Sequence, residues 1–221
     1  MPGLVELAYT TAGGAVGAVV TNYFAKHQER RQLRGTVMEA LYTVAAVPGS
    51  VCALAPGAAP IPPVPGRPRS IAAELGLSVR LGEEASADSA FRKALATYMV
   101  AALAAGIPRV AMDFAAGAYE RELECEVLRL IDAEAGNPLG AATAELLAAC
   151  VSYRKSATGL LLALLWHPRR SRPRMRSRIR GLRAEVGSLG ELQEAAYRRL
   201  LASERTAALA ERLKSTTEPD T

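Results

Sequence analysis

A chain of 221 residues, half of them hydrophobic, carries enough apolar surface for one sizeable helical core, or for a short anchor and one core, and is too apolar to be disordered. Much of that half is alanine and aromatics make up only 5%, so the expected core is one of closely approaching helices, with Leu, Ile and Val as the main apolar content. The formal charge of +5 is unevenly placed, and the lysines are confined to Lys26, Lys93, Lys155 and Lys214. A GC-rich genome accounts for arginine over lysine, so the preference itself carries no functional weight, whereas local clustering of arginines does.

Cys52, Cys125 and Cys150 are odd in number and lack CxxC spacing, which argues against a disulfide framework and against a cysteine zinc site. The N-terminus opens with Glu6 and no basic residue, unlike a cleaved signal peptide. The bulk of the chain is therefore expected in the reducing cytoplasm.

In chain order, the first helix is expected from about Pro2 to Ala46, with Pro2 suited to a first turn. Its first half, Leu7 to Phe24, carries no charge and is slightly shorter than the roughly 20 residues that span a bilayer. Tyr9 and Tyr23 stand near its ends, where aromatics anchor at the interface, and Lys26, Arg30, Arg31 and Arg34 follow directly. We read it as a single-pass membrane anchor whose basic flank keeps the remainder cytoplasmic. Gly13 and Gly17 form a GxxxG pair that permits close helix packing and hence homo-oligomers. The competing reading is a soluble, alanine-rich helix buried in the bundle. Leu33, Val37, Leu41 and Val44 then follow at amphipathic spacing.

Pro48, Pro56, Pro60, Pro62, Pro63, Pro65 and Pro68 rule out helix or central strand across residues 48–69, which read as a tether. The expected organisation is an anchor helix with a basic extension over 1–47, this linker, a helical bundle over 70–214 and a frayed tail over 215–221. After the N-cap Ser70, a helix is expected over Ile71–Leu81. The stretch Ser70-Ile-Ala-Ala-Glu-Leu-Gly-Leu-Ser78 resembles the first helix and turn of the bacterial helix-turn-helix family. The likeness ends there. Gly82 stands where the recognition helix needs an apolar residue, and Glu83, Glu84 and Asp88 would face phosphates, so an ordinary amphipathic helix explains the same residues.

Further helices are expected over Asp88–Ile107, from beyond Pro108 to Ala135 with Ala116, Tyr119, Leu123, Val127, Leu130 and Ile131 on one face, and over Pro138–Trp166. Gly136, Asn137 and Pro138 read as a C-terminal glycine, an N-cap and a first-turn proline. A basic helix over Arg172–Val186 and a last one over Leu189–Lys214 are expected, divided by the capping-box spacing of Ser188 and Glu191. No strand pattern and no repeat stands out.

Arg169, Arg170, Arg172, Arg174, Arg176, Arg178, Arg180 and Arg183 lie in one stretch without an acidic residue, directly after a leucine-rich helix end closed by Trp166, the only tryptophan. Charges this dense call for an anionic partner or full solvation. The sequence around them has the makings of a membrane-surface contact. Nucleic acid is the alternative partner, although the absence of stacking aromatics counts against single strands.

No catalytic or cofactor motif is found. His27 and His167 lack carboxylates at ligand spacing. Glu120, Glu122, Glu124 and Glu126, with Asp113, Asp132 and Glu134 nearby, spread around a helix and are expected to be mostly solvated, pairing with Arg121, Arg129 or the arginine cluster. Cys125 and Cys150 read as small buried hydrophobes. The sequence therefore points to an all-α, non-enzymatic membrane-associated adaptor at the cell membrane. Its partners are anionic lipids or an acidic protein, and a soluble, cytoplasmic nucleic-acid-binding bundle is the alternative.

Overall fold

The computed structural model describes residues 3–57, 70–81, 85–138 and 140–215, with the side chains of residues 3–24 and of Ala85 outside that description. Among the described residues the chain is predominantly helical, in the order α1 (Gly3–Gly49), β1 (Ala53–Pro56), α2 (Ile71–Glu74), β2 (Leu77–Leu81), β3 (Ala85–Ser86), α3 (Ala87–Ala104), α4 (Arg109–Glu134), α5 (Ala141–Trp166), α6 (Pro168–Leu201) and α7 (Glu204–Ser215). The linker residues 58–69 and the tail residues 216–221 lie outside the described residues.

The second half of α1 belongs to the body. Val37, Ala40, Leu41, Val44 and Val47 recur at three- and four-residue spacing, are buried, and pack against α3 and α4. By contrast, residues 25–32 are exposed on every face of the helix. At 1.5 Å per residue, residues 25–32 alone form about 12 Å of exposed stalk.

A small antiparallel sheet corrects the purely helical expectation. β2 is central, pairing Leu54 with Val79 and Ala55 with Ser78 on one side, and Arg80 with Ser86 on the other. Pro56 is tolerated because it closes an edge strand, where its missing N–H is not required. Gly57 follows where the chains touch, and a Cβ there would meet the Leu77 carbonyl carbon at 2.8 Å. The helix expected over Ile71–Leu81 ends at Glu74, because Gly76 turns left-handed at φ 69° and Leu77–Leu81 extends into β2. The likeness to a helix-turn-helix is therefore confined to one helical turn.

α3 and α4 both end in Schellman motifs. Gly106 N–H donates to Leu103 and Ile107 N–H to Ala102; Gly136 N–H donates to Ala133 and Asn137 N–H to Asp132. α4 and α5 then run as an antiparallel hairpin, with Ala111, Ala115, Ala118 and Ala157 fully buried so that the backbones approach closely. The hairpin turn departs from expectation in one respect. α5 begins at Ala141 with Gly140 as its N-cap, and the Asn137 side chain bridges to Ser203 and Thr206 at the α6–α7 junction instead.

The break expected at Gly187–Ser188 is also absent. α6 runs unbroken from Pro168, at its first position, to Leu201, and Ser188 Oγ donates back to the Glu185 carbonyl at 3.0 Å. Leu182, Val186, Leu189, Gln193, Ala196 and Leu200 form one packed stripe against α5. Continuous burial along that stripe outweighs a local capping signal.

Candidate functional site

The α4–α5 turn lies at one end of the hairpin, so the start of α4, the end of α5 and the start of α6 share the opposite end. α1 passes that same end. Arg34 Nε donates to the Leu165 carbonyl at 3.1 Å, and the Arg34 guanidinium lies 5.0 Å from the centroid of the Trp166 ring. A cation over an indole face is favourable, as is a cation at a helix C-terminus, where carbonyls lack partners. Ser171 Oγ, in the first turn of α6, donates to the Ala163 carbonyl at 2.8 Å and completes the cap on α5.

Arg34 therefore fastens the point where the stalk leaves the bundle to the only tryptophan and to the C-terminal end of α5, which the arginine-rich α6 follows directly. Lys26, Arg30 and Arg31 stand exposed on the stalk. Trp166 is 49% exposed, and Val100 and Leu103 at the end of α3 and Val110 at the start of α4 are exposed at the same end. Exposed cations and exposed apolar side chains thus share this end of the bundle. Tyr9, Gly13, Gly17 and Tyr23 fall in the part of α1 whose side chains lie outside the described residues.

The packed stripe of α6 opens with Ser171, Met175 and Ile179, and the arginines occupy the rest of the circumference. Arg169, Arg170, Arg172, Arg174, Arg176, Arg178, Arg180 and Arg183 are all exposed. They cover about 21 Å of helix. Among the described residues none of the eight pairs with a carboxylate. Of the acids expected to pair with Arg121, Arg129 or this cluster, Glu126 holds Arg129 as expected, while Glu122 goes to Arg154 and Asp132 to Arg199.

The carboxylate row is not mostly solvated. Glu124 is half-buried, and its Oε1 accepts from Tyr197 Oη at 2.5 Å and from the Ile71 amide at 3.0 Å. Gln193 Nε2 donates to Tyr197 Oη at 2.9 Å, and Arg121 Nη1 donates to Gln193 Oε1 at 3.1 Å. Burial pushes the Glu124 carboxyl above its ordinary range, against the pull of the bonds from Tyr197 and Ile71. Burial likewise raises the Tyr197 hydroxyl. This network lines a cleft of about 1340 Å³ with Phe91, Phe114 and Tyr153. Its members satisfy one another across α2, α4 and α6, as a structural tie does. Burial raises the Tyr153 hydroxyl to about 12, and Tyr98 is buried still more deeply.

Neither histidine enters the cleft: His27 is on the stalk, and His167 is exposed at the junction of α5 and α6. Among the described residues no group of three or more His, Cys, Asp or Glu side chains stands arranged to hold a metal ion. Among the same residues no helix is long and apolar enough to cross a membrane, and the stretch Leu7–Phe24 lies outside that statement because its side chains are not described. Two pairs that the sequence does not announce come together: Cys125 with Cys150 inside the α4–α5 hairpin, and Asp132 on α4 with Arg199 on α6. The chain matches none of the family models, curated proteins or solved structures compared with it.

Proposed function

We propose that the chain is a non-enzymatic, membrane-associated helical interaction protein whose bundle rests on anionic headgroups through the Trp166 end. In this reading Leu7–Phe24 is the anchor, Lys26, Arg30, Arg31 and Arg34 hold the body on the cytoplasmic side, and the α6 arginines face the lipid surface. The observation that carries it is the Arg34 contact, which joins the exit of the stalk to Trp166 at the end of α5, directly before the exposed arginines that open α6. Aromatic and aliphatic side chains at that end, beside exposed cations, match the layered chemistry of an interface: hydrocarbon and carbonyls within, phosphates outside.

A single tryptophan makes the test direct. Full-length protein is mixed with vesicles of neutral phosphatidylcholine, with or without anionic phosphatidylserine. Anionic vesicles are expected to shift the Trp166 emission to the blue, and Arg169→Gln/Arg170→Gln/Arg172→Gln to abolish the shift. In cells the intact chain is expected to stay in the membrane pellet after a carbonate wash, and a chain lacking residues 1–25 to leave it. A soluble intact chain together with an unchanged spectrum overturns the proposal. Salt-steep duplex binding without a vesicle response would favour the nucleic-acid alternative, which uses the same arginines but gives the exposed apolar side chains no role.

A further inference from the structure

Cys125 on α4 and Cys150 on α5 face each other inside the hairpin, with Sγ atoms 2.9 Å apart and both side chains buried. Two thiols that merely pack do not approach so closely, and a disulfide requires the sulfurs to close by only about 0.9 Å more. Residues equidistant from the α4–α5 turn face each other, so the pairing is built into the hairpin and does not depend on a mobile loop. We propose that Cys125 and Cys150 form a reversible disulfide that staples α4 to α5, with a peroxide as the oxidant.

The surroundings assign the two roles. Arg121 and Glu122 lie near Cys150, whereas Glu124 and Glu126 flank Cys125. The sulfur–sulfur contact favours a thiolate on one sulfur and the proton on the other; Arg121 draws the negative charge toward Cys150 against burial and Glu122, while burial, Glu124 and Glu126 disfavour it on Cys125. Cys150 is therefore the attacking thiolate. Its sulfur attacks one peroxide oxygen and the O–O bond breaks; Cys150 becomes a sulfenic acid, and the leaving hydroxide takes up a proton to become water. Cys125 sulfur then attacks the sulfenic sulfur, the S–O bond breaks, and the hydroxide released takes the Cys125 proton to leave as a second water. Two thiols and one hydrogen peroxide give one disulfide and two waters. The pair needs no structural bridge in a reducing compartment, where such disulfides are transient.

The full-length protein is treated with hydrogen peroxide, denatured and alkylated without reductant. One alkylated thiol, Cys52, is expected in place of three, with the mass of two hydrogens lost and the Cys125 and Cys150 peptides joined in a non-reduced digest. A closed loop of 25 residues is expected to raise the Tm by about 10 °C on oxidation, reversed by a dithiol. Cys52→Ser removes intermolecular pairing and is expected to leave the result unchanged. Three alkylated thiols, a stable sulfinic acid at Cys150 with Cys125 still free, or a cross-link through Cys52 each overturn the assignment. All of these are read on chains that keep both buried cysteines, so none depends on a buried cysteine variant folding.

Discussion

Arg199 offers the sharpest test of the packing argument. Its guanidinium, on α6, holds the α4–α5 turn from three sides: Nη2 donates to Asp132 Oδ2 and, at 3.2 Å, to Thr143 Oγ1, while Nη1 donates to the Pro138 carbonyl at 3.1 Å. The Asp132 side chain is 3% exposed. Replacing Arg199 by Ala leaves that carboxylate inside the protein without its cation. Truncating one partner of a buried pair costs about 3–5 kcal/mol. Arg199 itself is 31% exposed, so solvent entering the vacated space places the loss toward the lower figure. For a chain of this length that corresponds to a fall in Tm of about 6–12 °C.

The assay is thermal unfolding of Arg199→Ala, Asp132→Asn and the combined replacement Arg199→Met/Asp132→Leu, each compared with the parent protein. Asp132→Asn is expected to lose less than Arg199→Ala, because an amide left in the core carries no charge. The combined apolar replacement is expected to recover most of the loss, since attraction between buried ions only offsets their desolvation. An Arg199→Ala variant that unfolds within about 1 °C of the parent would falsify the view that this pair is sealed from water.

Three further outcomes follow from the same geometry. The folded state holds the Glu124 proton more tightly than the unfolded chain, whose value is near 4.5, so that share of stability is present below pH 4.5 and lost as pH rises through the raised folded pKa. Glu124→Gln keeps an acceptor for Tyr197 and Ile71 without a charge, so unfolding scans are expected to show it gaining on the parent from pH 4.5 to neutrality; parallel profiles would refute the sign. Gly136→Ala places a Cβ on a residue at φ 63° and is expected to destabilise by about 1–2 kcal/mol in denaturant titration, although nothing crowds the added carbon. Arg174→Gln/Arg176→Gln/Arg178→Gln removes unpaired like charges and is expected to hold or raise the Tm while weakening binding to anionic vesicles, a combination that a merely structural role would not give.

What the sequence made legible were features with a local cause. Gly136 stops its helix because left-handed backbone closes a Schellman motif, as its place before Asn137 and Pro138 suggested, whereas the stop expected at Pro108 is made earlier by Gly106; Val37, Leu41 and Val44 mark the packed face of α1 by period alone. The failures have tertiary causes. Ser188 and Glu191 carry a capping-box spacing, yet the stripe through Val186 and Leu189 stays continuous and the helix continues with it. Asn137 has N-cap chemistry, but Ser203 and Thr206 claim its side chain. Glu124 sits among alternating acids that look solvated, and its burial depends on α2 and α6 arriving from distant parts of the chain. The cysteine pair was within reach of sequence reasoning. Once the turn is centred between Asn137 and Pro138, Cys125 and Cys150 stand at equal distances from it, and Glu122 and Arg154 at nearly equal ones.

The opening of α6 is where stability and proposed function pull apart. Met175 and Ile179 are only half-buried there, whereas Leu182, Leu189, Ala196 and Leu200 further along are buried. Pro173 removes one backbone donor from the second turn, and arginines at four-residue spacing repel each other along the exposed side. Little within the chain compensates the repulsion, since the acids are spent on Arg129, Arg154 and Arg199. The first turns of α6 should therefore open more readily than the rest, and hydrogen exchange is expected to be faster over residues 169–180 than over 182–200. An anionic surface supplies the missing counter-charge, so phosphatidylserine vesicles are expected to slow exchange selectively over 169–180, and neutral vesicles to leave it unchanged. Uniform protection along α6 in the free protein would mean that the helix needs no external partner, and the arginines would then be no more than a solvated face.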